Sequence, residues 1–275
     1  VALAIRKYGY ELKYAGNVTT PALSYYAFQR GWISIMITGS HIPLGQNGIK
    51  YNFPRREILK IEEKSMLSCV EAVRKREYYD LDHVVKNTTL FNPEGYFSEG
   101  REINEPSMQQ EVEDYYVARY TKIFSKYALT GKTIVVYQHS SVGRDMLVRI
   151  LEELGAKVIP VDRAADGVFI AIDTENVTPD NQRYFKRLAR YYKLRGERIF
   201  AIVSIDGDGD RPFVMDENGQ FYRGDILNIL TMQYLKADAV ATTNSANKAV
   251  EWAMKDLGAV YKRTQIGSPH IALAL

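Results

Sequence analysis

One cysteine in 275 residues, Cys69, excludes an intramolecular disulfide. Its helical neighbours predict a small buried apolar side chain rather than a nucleophile. No stretch approaches the roughly twenty apolar residues that a membrane helix needs. Low-complexity tracts and short internal repeats are also missing. Charge of one sign is not in excess: the net charge of +3 selects no polyanionic partner, neither nucleic acid nor membrane surface. Arg6, Lys7, Glu11 and Lys13 break up the start, which does not read as a secretory leader, so a cytoplasmic location is expected. What remains is ordinary for a globular chain, with 46% apolar and 25% charged residues. The length suits two or three modest domains, each with its own core.

Apolar periodicity predicts alternating helices and strands. Helices are expected over Ala2–Tyr8, Pro21–Arg30 and Glu57–Arg76, the last with Ile58, Ile61, Leu67, Val70 and Val73 on its apolar side. Further helices are expected over 107–126, 143–154, 180–195, 224–236 and 246–257. Gly155 and Gly258 sit where helices close. Strands are expected over 33–38, 133–137, 157–161, 199–205 and 238–242. Residues 44–53 read as a turn-rich loop and 86–106 as a connector. Strand–helix units with short links imply an α/β fold: consecutive α/β sandwich domains with mostly parallel mixed sheets. The helix over 180–195 carries Arg183, Lys186, Arg187, Arg190, Lys193 and Arg195 opposite an apolar stripe of Phe185, Leu188, Ala189 and Tyr192. A solvated face over a buried stripe explains that pattern better than a nucleic-acid groove.

Asp206-Gly207-Asp208-Gly209-Asp210-Arg211 leaves the apolar run Ile199–Val203. Three carboxylates at alternate positions can converge on one hard cation, Mg²⁺ or Ca²⁺, and would repel one another without it. Arg211 adds a fixed cation of the kind found where phosphate is handled. A solvated acidic turn is the plainer alternative. An EF-hand fits poorly: Glu217 stands at the twelfth position, but Arg211 stands where that loop needs glycine, and the entry is a strand. A second segment, Thr38-Gly39-Ser40-His41-Ile42-Pro43, leaves another apolar strand, with Asn47-Gly48-Ile49-Lys50 following. Ser40 could be a nucleophile with acid/base help from His41 and Lys50, or the segment could be an ordinary Ser-His turn. No GxSxG motif is present, so no acyl-transfer arrangement is read.

Taken in order, these segments resemble the α-D-phosphohexomutase superfamily, which includes phosphomannomutases and phosphoglucomutases. The resemblance extends to Thr19-Thr20-Pro21-Ala22-Leu23 before the serine loop, and to Asp216-Glu217-Asn218-Gly219 and Arg223-Gly224-Asp225 after the acidic one. Arg263-Thr264-Gln265-Ile266-Gly267-Ser268-Pro269 is similar to an Arg-Thr-x-x-Gly segment of the family. The serine loop, His139-Ser140-Ser141-Val142-Gly143-Arg144-Asp145 and Ile172-Asp173-Thr174-Glu175 look like a bacterial phosphomannomutase branch.

The resemblance implies an intramolecular phosphotransferase acting on a phosphosugar. Hexose 1-phosphate and hexose 6-phosphate would interconvert through a phosphoserine and a hexose 1,6-bisphosphate, which also serves as activator. Ser40 would be that phosphoserine. Asp206, Asp208 and Asp210 would hold Mg²⁺ together with the serine phosphate, Arg211 would steady the phosphoryl oxygens, and His41 and Lys50 would assist proton transfer. Arg263, Thr264, Gly267 and Ser268 would contact substrate. Domains are expected over 1–106, 107–222 and 223–275, with the family's opening strand absent before Val1 and its sugar-reading loop and last domain absent after Leu275. Alternatives are a silent fragment binding metal or sugar phosphate, phosphoglucomutase or phosphoglucosamine mutase specificity, and a metal-dependent phosphatase.

Overall fold

The computed structural model describes residues 1–40, 46–78, 105–170, 172–174 and 177–275. Its first elements are α1 (Ala2–Lys7), α2 (Thr20–Arg30), β1 (Ser34–Thr38), β2 (Gly48–Phe53), β3 (Arg56–Glu57) and α3 (Lys60–Tyr78). Then come α4 (Gln109–Ile123), β4 (Thr133–His139), α5 (Arg144–Glu153), β5 (Lys157–Arg163), α6 (Pro179–Leu194), β6 (Ala201–Ile205), β7 (Pro212–Asp216) and β8 (Phe221–Tyr222). The remainder is α7 (Gly224–Leu235), β9 (Ala239–Thr243), α8 (Lys248–Asp256), β10 (Val260–Thr264) and α9 (Ser268–Ala272). Among the described residues no helix is long and apolar enough to cross a membrane.

Local chemistry sets the helix ends that matter for the site. Thr19 caps α2: its hydroxyl accepts the Ala22 N–H at 3.3 Å, and Pro21 sits in the first turn, where its missing N–H costs nothing. Gly31, at φ 66°, closes α2 in a left-handed conformation that L side chains avoid. Thr178 and Asn247 cap α6 and α8 in the same way.

Five strands form the central sheet in the order β5-β4-β6-β7-β8. β4 pairs parallel with β5 and β6, whereas β6–β7 and β7–β8 are antiparallel. β9 and β10 are parallel, and β1-β2-β3 is an antiparallel sheet. Parallel pairing therefore holds where a helix separates the strands. The links 206–211 and 217–220 are far shorter than the dozen or so residues a crossover requires, and they force antiparallel turns. β2 replaces the loop expected at 44–53: Ile49 and Tyr51 alternate with Lys50 and Asn52, and only Asn52 of these four is buried.

Among the described residues three apolar clusters form the core. Val18, Ala22 and Tyr26 pack with Val112, Tyr116 and Val117 of α4 and Met146, Ile150 and Leu154. This cluster fastens α2, which leads into the serine strand, to the helices beside the five-stranded sheet. The second cluster joins Phe185, Ala189 and Tyr192 of α6 to Ile202, Phe213 and Met215, as the apolar stripe of α6 predicts. The basic side chains of α6 are exposed. Phe185 is 2% exposed, with its ring 4.9 Å from Phe213 and 5.1 Å from Tyr137 between centroids. Phe185→Ala should lower the unfolding free energy by about 3–5 kcal/mol, read from urea denaturation. A loss under about 1 kcal/mol would mean that the cavity collapses without cost. The third cluster is small: Val240, Val250 and Met254.

α3 departs from expectation. It begins at Lys60 rather than Glu57, and its apolar residues Ile61, Leu67, Val70 and Val73 are exposed. Cys69, expected to be buried, is exposed with them. Periodicity marks a face, but burial requires another element to cover it, and none of the three clusters draws on α3 among the described residues. The connector expected at 86–106 falls, up to residue 104, outside the described residues.

Candidate active site

Two strand ends meet. β6 delivers Asp206 at the edge of the sheet, and the chain turns back within residues 206–211 to start β7. Asp206 shapes that turn itself: its Oδ1 accepts the N–H of Asp210 at 3.0 Å and of Arg211 at 3.3 Å. Gly209, at φ 76°, supplies the left-handed step. The outcome is a cluster in which Asp206, Asp208 and Asp210 each offer one oxygen, all within 4.8 Å of one another. Asp206 and Asp208 are buried.

β1 ends at Thr38, and Ser40 follows two residues on, with a φ of 45° that is uncommon for a residue with a β-carbon and marks local strain. The Ser40 N–H donates to Thr38 Oγ1 at 2.8 Å, which aims the side chain, and Ser40 Oγ donates to Asp206 Oδ2 at 2.8 Å. Close approach of the two loops depends on Gly207. A β-carbon there would lie 2.3 Å from the Ser40 carbonyl oxygen.

Two more elements reach the cluster. Lys50 on β2, paired in register with Met36, places Nζ 2.7 Å from Asp208 Oδ2 and 2.6 Å from Asp210 Oδ2. Thr20, in the first turn of α2, donates its hydroxyl to Asp208 Oδ2 at 2.7 Å and its N–H to the Asp208 carbonyl at 2.9 Å. Arg211 Nε lies 3.9 Å from Asp210 Oδ1.

The electrostatics differ between neighbouring carboxylates. Burial pushes the Asp206 carboxyl up to about 6, with the Asp210 and Asp208 charges adding to it against the Ser40 hydrogen bond. Burial also opposes the charge on Asp208, yet hydrogen bonds from Lys50 and Thr20 outweigh it and hold that carboxyl below its ordinary range. Lys50 in turn loses to burial and gains more from Asp208 and Asp210, which keep its ammonium above the usual value.

The donor set fits a hard divalent cation. It is all carboxylate oxygen, and among the described residues the buried Asp208 Oδ1 has no hydrogen-bond partner. Lys50 sits against two of the three carboxylates as a built-in positive charge.

Of the predicted site residues, Ser40, Lys50, Asp206, Asp208, Asp210 and Arg211 converge, while His41 lies outside the described residues. Arg263, the last but one residue of β10, donates to the carbonyls of Asn244 at 3.3 Å and Ala246 at 3.0 Å, bracing the loop after β9. Thr264 donates to the Thr242 carbonyl at 3.2 Å. Gly267, at φ 124°, precedes α9, which starts at Ser268. Thr20 was not predicted as a site residue. Thr20's signal was the Thr-Pro pair that starts α2.

These features define an α/β protein that sets a serine hydroxyl against a carboxylate cluster suited to a divalent cation. Residues 1–77 match the family model described as phosphoglucomutase/phosphomannomutase, alpha/beta/alpha domain I, and residues 114–219 match domain II of the same family. A phosphomannomutase of Sinorhizobium fredii is 36% identical over 260 residues, which span 94% of this chain and 49% of the relative. A phosphomannomutase of Salmonella muenchen is 34% identical over 276 residues, 99% of this chain and 50% of the relative. The crystal structure of a phosphoglucomutase/phosphomannomutase family protein from Burkholderia thailandensis shares the fold, with a TM-score of 0.71 at 19% identity, covering all of this chain and 56% of that one. The chain belongs to the phosphoglucomutase/phosphomannomutase family. It spans about half the length of the curated relatives it matches.

Proposed function

We propose that the chain carries the phosphoryl-transfer centre of a phosphohexomutase that interconverts hexose 1-phosphate and hexose 6-phosphate, with mannose phosphate as the preferred sugar. The observation that carries this reading is the Ser40 hydroxyl hydrogen-bonded to Asp206 inside the three-carboxylate cluster. Two phosphomannomutases at 36% and 34% identity support the sugar, against 26% for a phosphoglucosamine mutase.

Ser40 Oγ holds the phosphoryl group in this reading. Its bond to phosphorus breaks as a sugar hydroxyl oxygen bonds to that phosphorus, and the hydroxyl proton passes to a base, for which His41 is the candidate. The reverse step returns the phosphoryl group to serine from the other position of the bisphosphate. Asp206, Asp208 and Asp210 would hold Mg²⁺, which when bound neutralises charge on the phosphoryl oxygens. Lys50 and Arg211 stand beside the cluster as further positive charge. Arg263, Thr264, Gly267 and Ser268 contact the sugar phosphate. Residues 1–106 and 107–222 form the two domains that bring the serine and the cation loop together, and 223–275 opens a third.

Incubating the chain with hexose 1,6-bisphosphate and Mg²⁺ should add one phosphate, seen by intact-mass spectrometry, and Ser40→Ala should take up none. Phosphate on the alanine variant, or none on the wild type, refutes the serine's role. Mannose 1-phosphate turnover by the full-length protein tests the sugar.

A further inference from the structure

The acidic loop is gripped along its backbone by groups from outside it. The Ile205 carbonyl lies 2.7 Å from His139 Nε2, and the Asp206 carbonyl accepts the Ser141 hydroxyl at 2.8 Å. The Gly207 carbonyl accepts the Val142 N–H at 2.9 Å, and the Asp208 carbonyl accepts the Thr20 N–H at 2.9 Å. Four successive carbonyls are thereby taken, three of them by His139, the last residue of β4, and by Ser141 and Val142 just after it. A carbonyl only accepts, so His139 carries its proton on Nε2. His139 is fully buried, stacks on Tyr137 at 5.5 Å and holds φ 32°, a costly conformation for a residue that merely fills space. Among the described residues its buried Nδ1 has no hydrogen-bond partner that meets the same geometry. Ser141 is 2% exposed, and its oxygen also receives the Gly143 N–H at 3.3 Å. Gly143 lacks a side chain where a β-carbon would meet Thr19 Cγ2 at 2.5 Å, which lets the start of α5 press against the start of α2.

We propose that His139 and Ser141 are positioning residues of the cation site: by holding the Ile205 and Asp206 carbonyls they turn the backbone oxygens away and leave only carboxylate oxygens to face a divalent cation. This rests on the cation reading given above. Both make these contacts to backbone carbonyls, and among the described residues neither hydrogen-bonds a carboxylate oxygen, so both act through the backbone.

The test uses the 275-residue chain with His139→Phe, His139→Gln and Ser141→Ala. Phenylalanine keeps the ring and its stacking but has no donor, whereas glutamine can offer an amide N–H near the Nε2 position. Hydrogen exchange in the metal-free protein reads the loop directly through the amides of Asp206, Gly209, Asp210 and Arg211. These should exchange about tenfold faster in His139→Phe and Ser141→Ala, while those of Thr133–Tyr137 stay as in the wild type. Mg²⁺ affinity by calorimetry should fall about tenfold in both and recover in His139→Gln. Unchanged exchange at the loop amides overturns the proposal, as does a glutamine variant no better than the phenylalanine one. If His139→Phe fails to fold, Ser141→Ala, which removes one hydroxyl, decides alone. A wild-type chain that binds no Mg²⁺ refutes the cation reading, and the exchange data still decide the grip on the loop.

Discussion

Gly207→Ala should slow phosphate uptake by Ser40 at least about a hundredfold while the five-stranded sheet stays folded. The alanine β-carbon would stand 2.3 Å from the Ser40 carbonyl oxygen and 3.3 Å from its carbonyl carbon. These are backbone atoms and cannot rotate aside as a side chain would. Gly207 does not occupy the left-handed region, so alanine brings no conformational penalty of its own, and the clash falls on the contact between the two loops. The Gly207 carbonyl remains tied to the Val142 N–H, which holds the acidic loop to its sheet. Ser40, already at φ 45°, is the part that must retreat. A displacement of about 1 Å between reacting groups can cost about a hundredfold in rate. Phosphate incorporation followed by mass spectrometry measures the effect, and a thermal melt checks the fold. Uptake at the wild-type rate would show that the two loops need not approach as closely as they do here.

Much of this arrangement could be read from residues alone, and the misses have separate physical causes. The order of helices and strands follows from periodicity and from end signals such as Gly155 and Gly258, which close helices. The carboxylates and Ser40 announce themselves because cation binding and phosphoryl transfer demand particular side chains in a particular order. β2 was missed because Gln46-Asn47-Gly48 dominates as a turn signal, although Ile49, Tyr51 and Phe53 alternate correctly for a strand. Cys69 was misplaced because no local pattern states what will cover a helix. Thr20, His139 and Ser141 were not assigned to the site for a different reason: they bind backbone carbonyls or share an oxygen already in use. Many residue types can donate to a carbonyl, so only the topology identifies which ones do. Packing of α2 against α4 and α5 brings residue 20 to residue 208, and that packing arises from Tyr26, Val112 and Met146 rather than from any motif.

Two substitutions at neighbouring carboxylates of the cluster should move metal-free stability in opposite directions while both abolish cation binding. Asp206 has its carboxyl raised to about 6 by burial and by the adjacent charges, above the ordinary 3.8. The folded state therefore holds this proton more tightly than the unfolded chain. The group's contribution to stability is complete below pH 3.8, falls as the pH rises through the interval up to about 6, and stays flat above it. The loss is on the order of 2 kcal/mol. Asp206→Asn removes the ionisation and with it this slope. Its side-chain oxygen can still accept the Asp210 and Arg211 amides, and its nitrogen can donate to Ser40, whose hydroxyl turns to accept. Metal-free Asp206→Asn should thus melt above the wild type at pH 7.5. Asp208 is held below its ordinary range by Lys50 and Thr20, so its charge favours folding. Asp208→Asn leaves Lys50 with Asp210 alone and should melt below the wild type. With Mg²⁺ at about a hundred times its dissociation constant the wild type should gain about 2.7 kcal/mol, and both variants should gain almost nothing. Melting each protein with chelator and with Mg²⁺, across pH 4 to 8, separates these terms. If both variants shift the same way without metal, the two carboxylates do not differ as their surroundings require. If both still gain from Mg²⁺, the cation is held elsewhere.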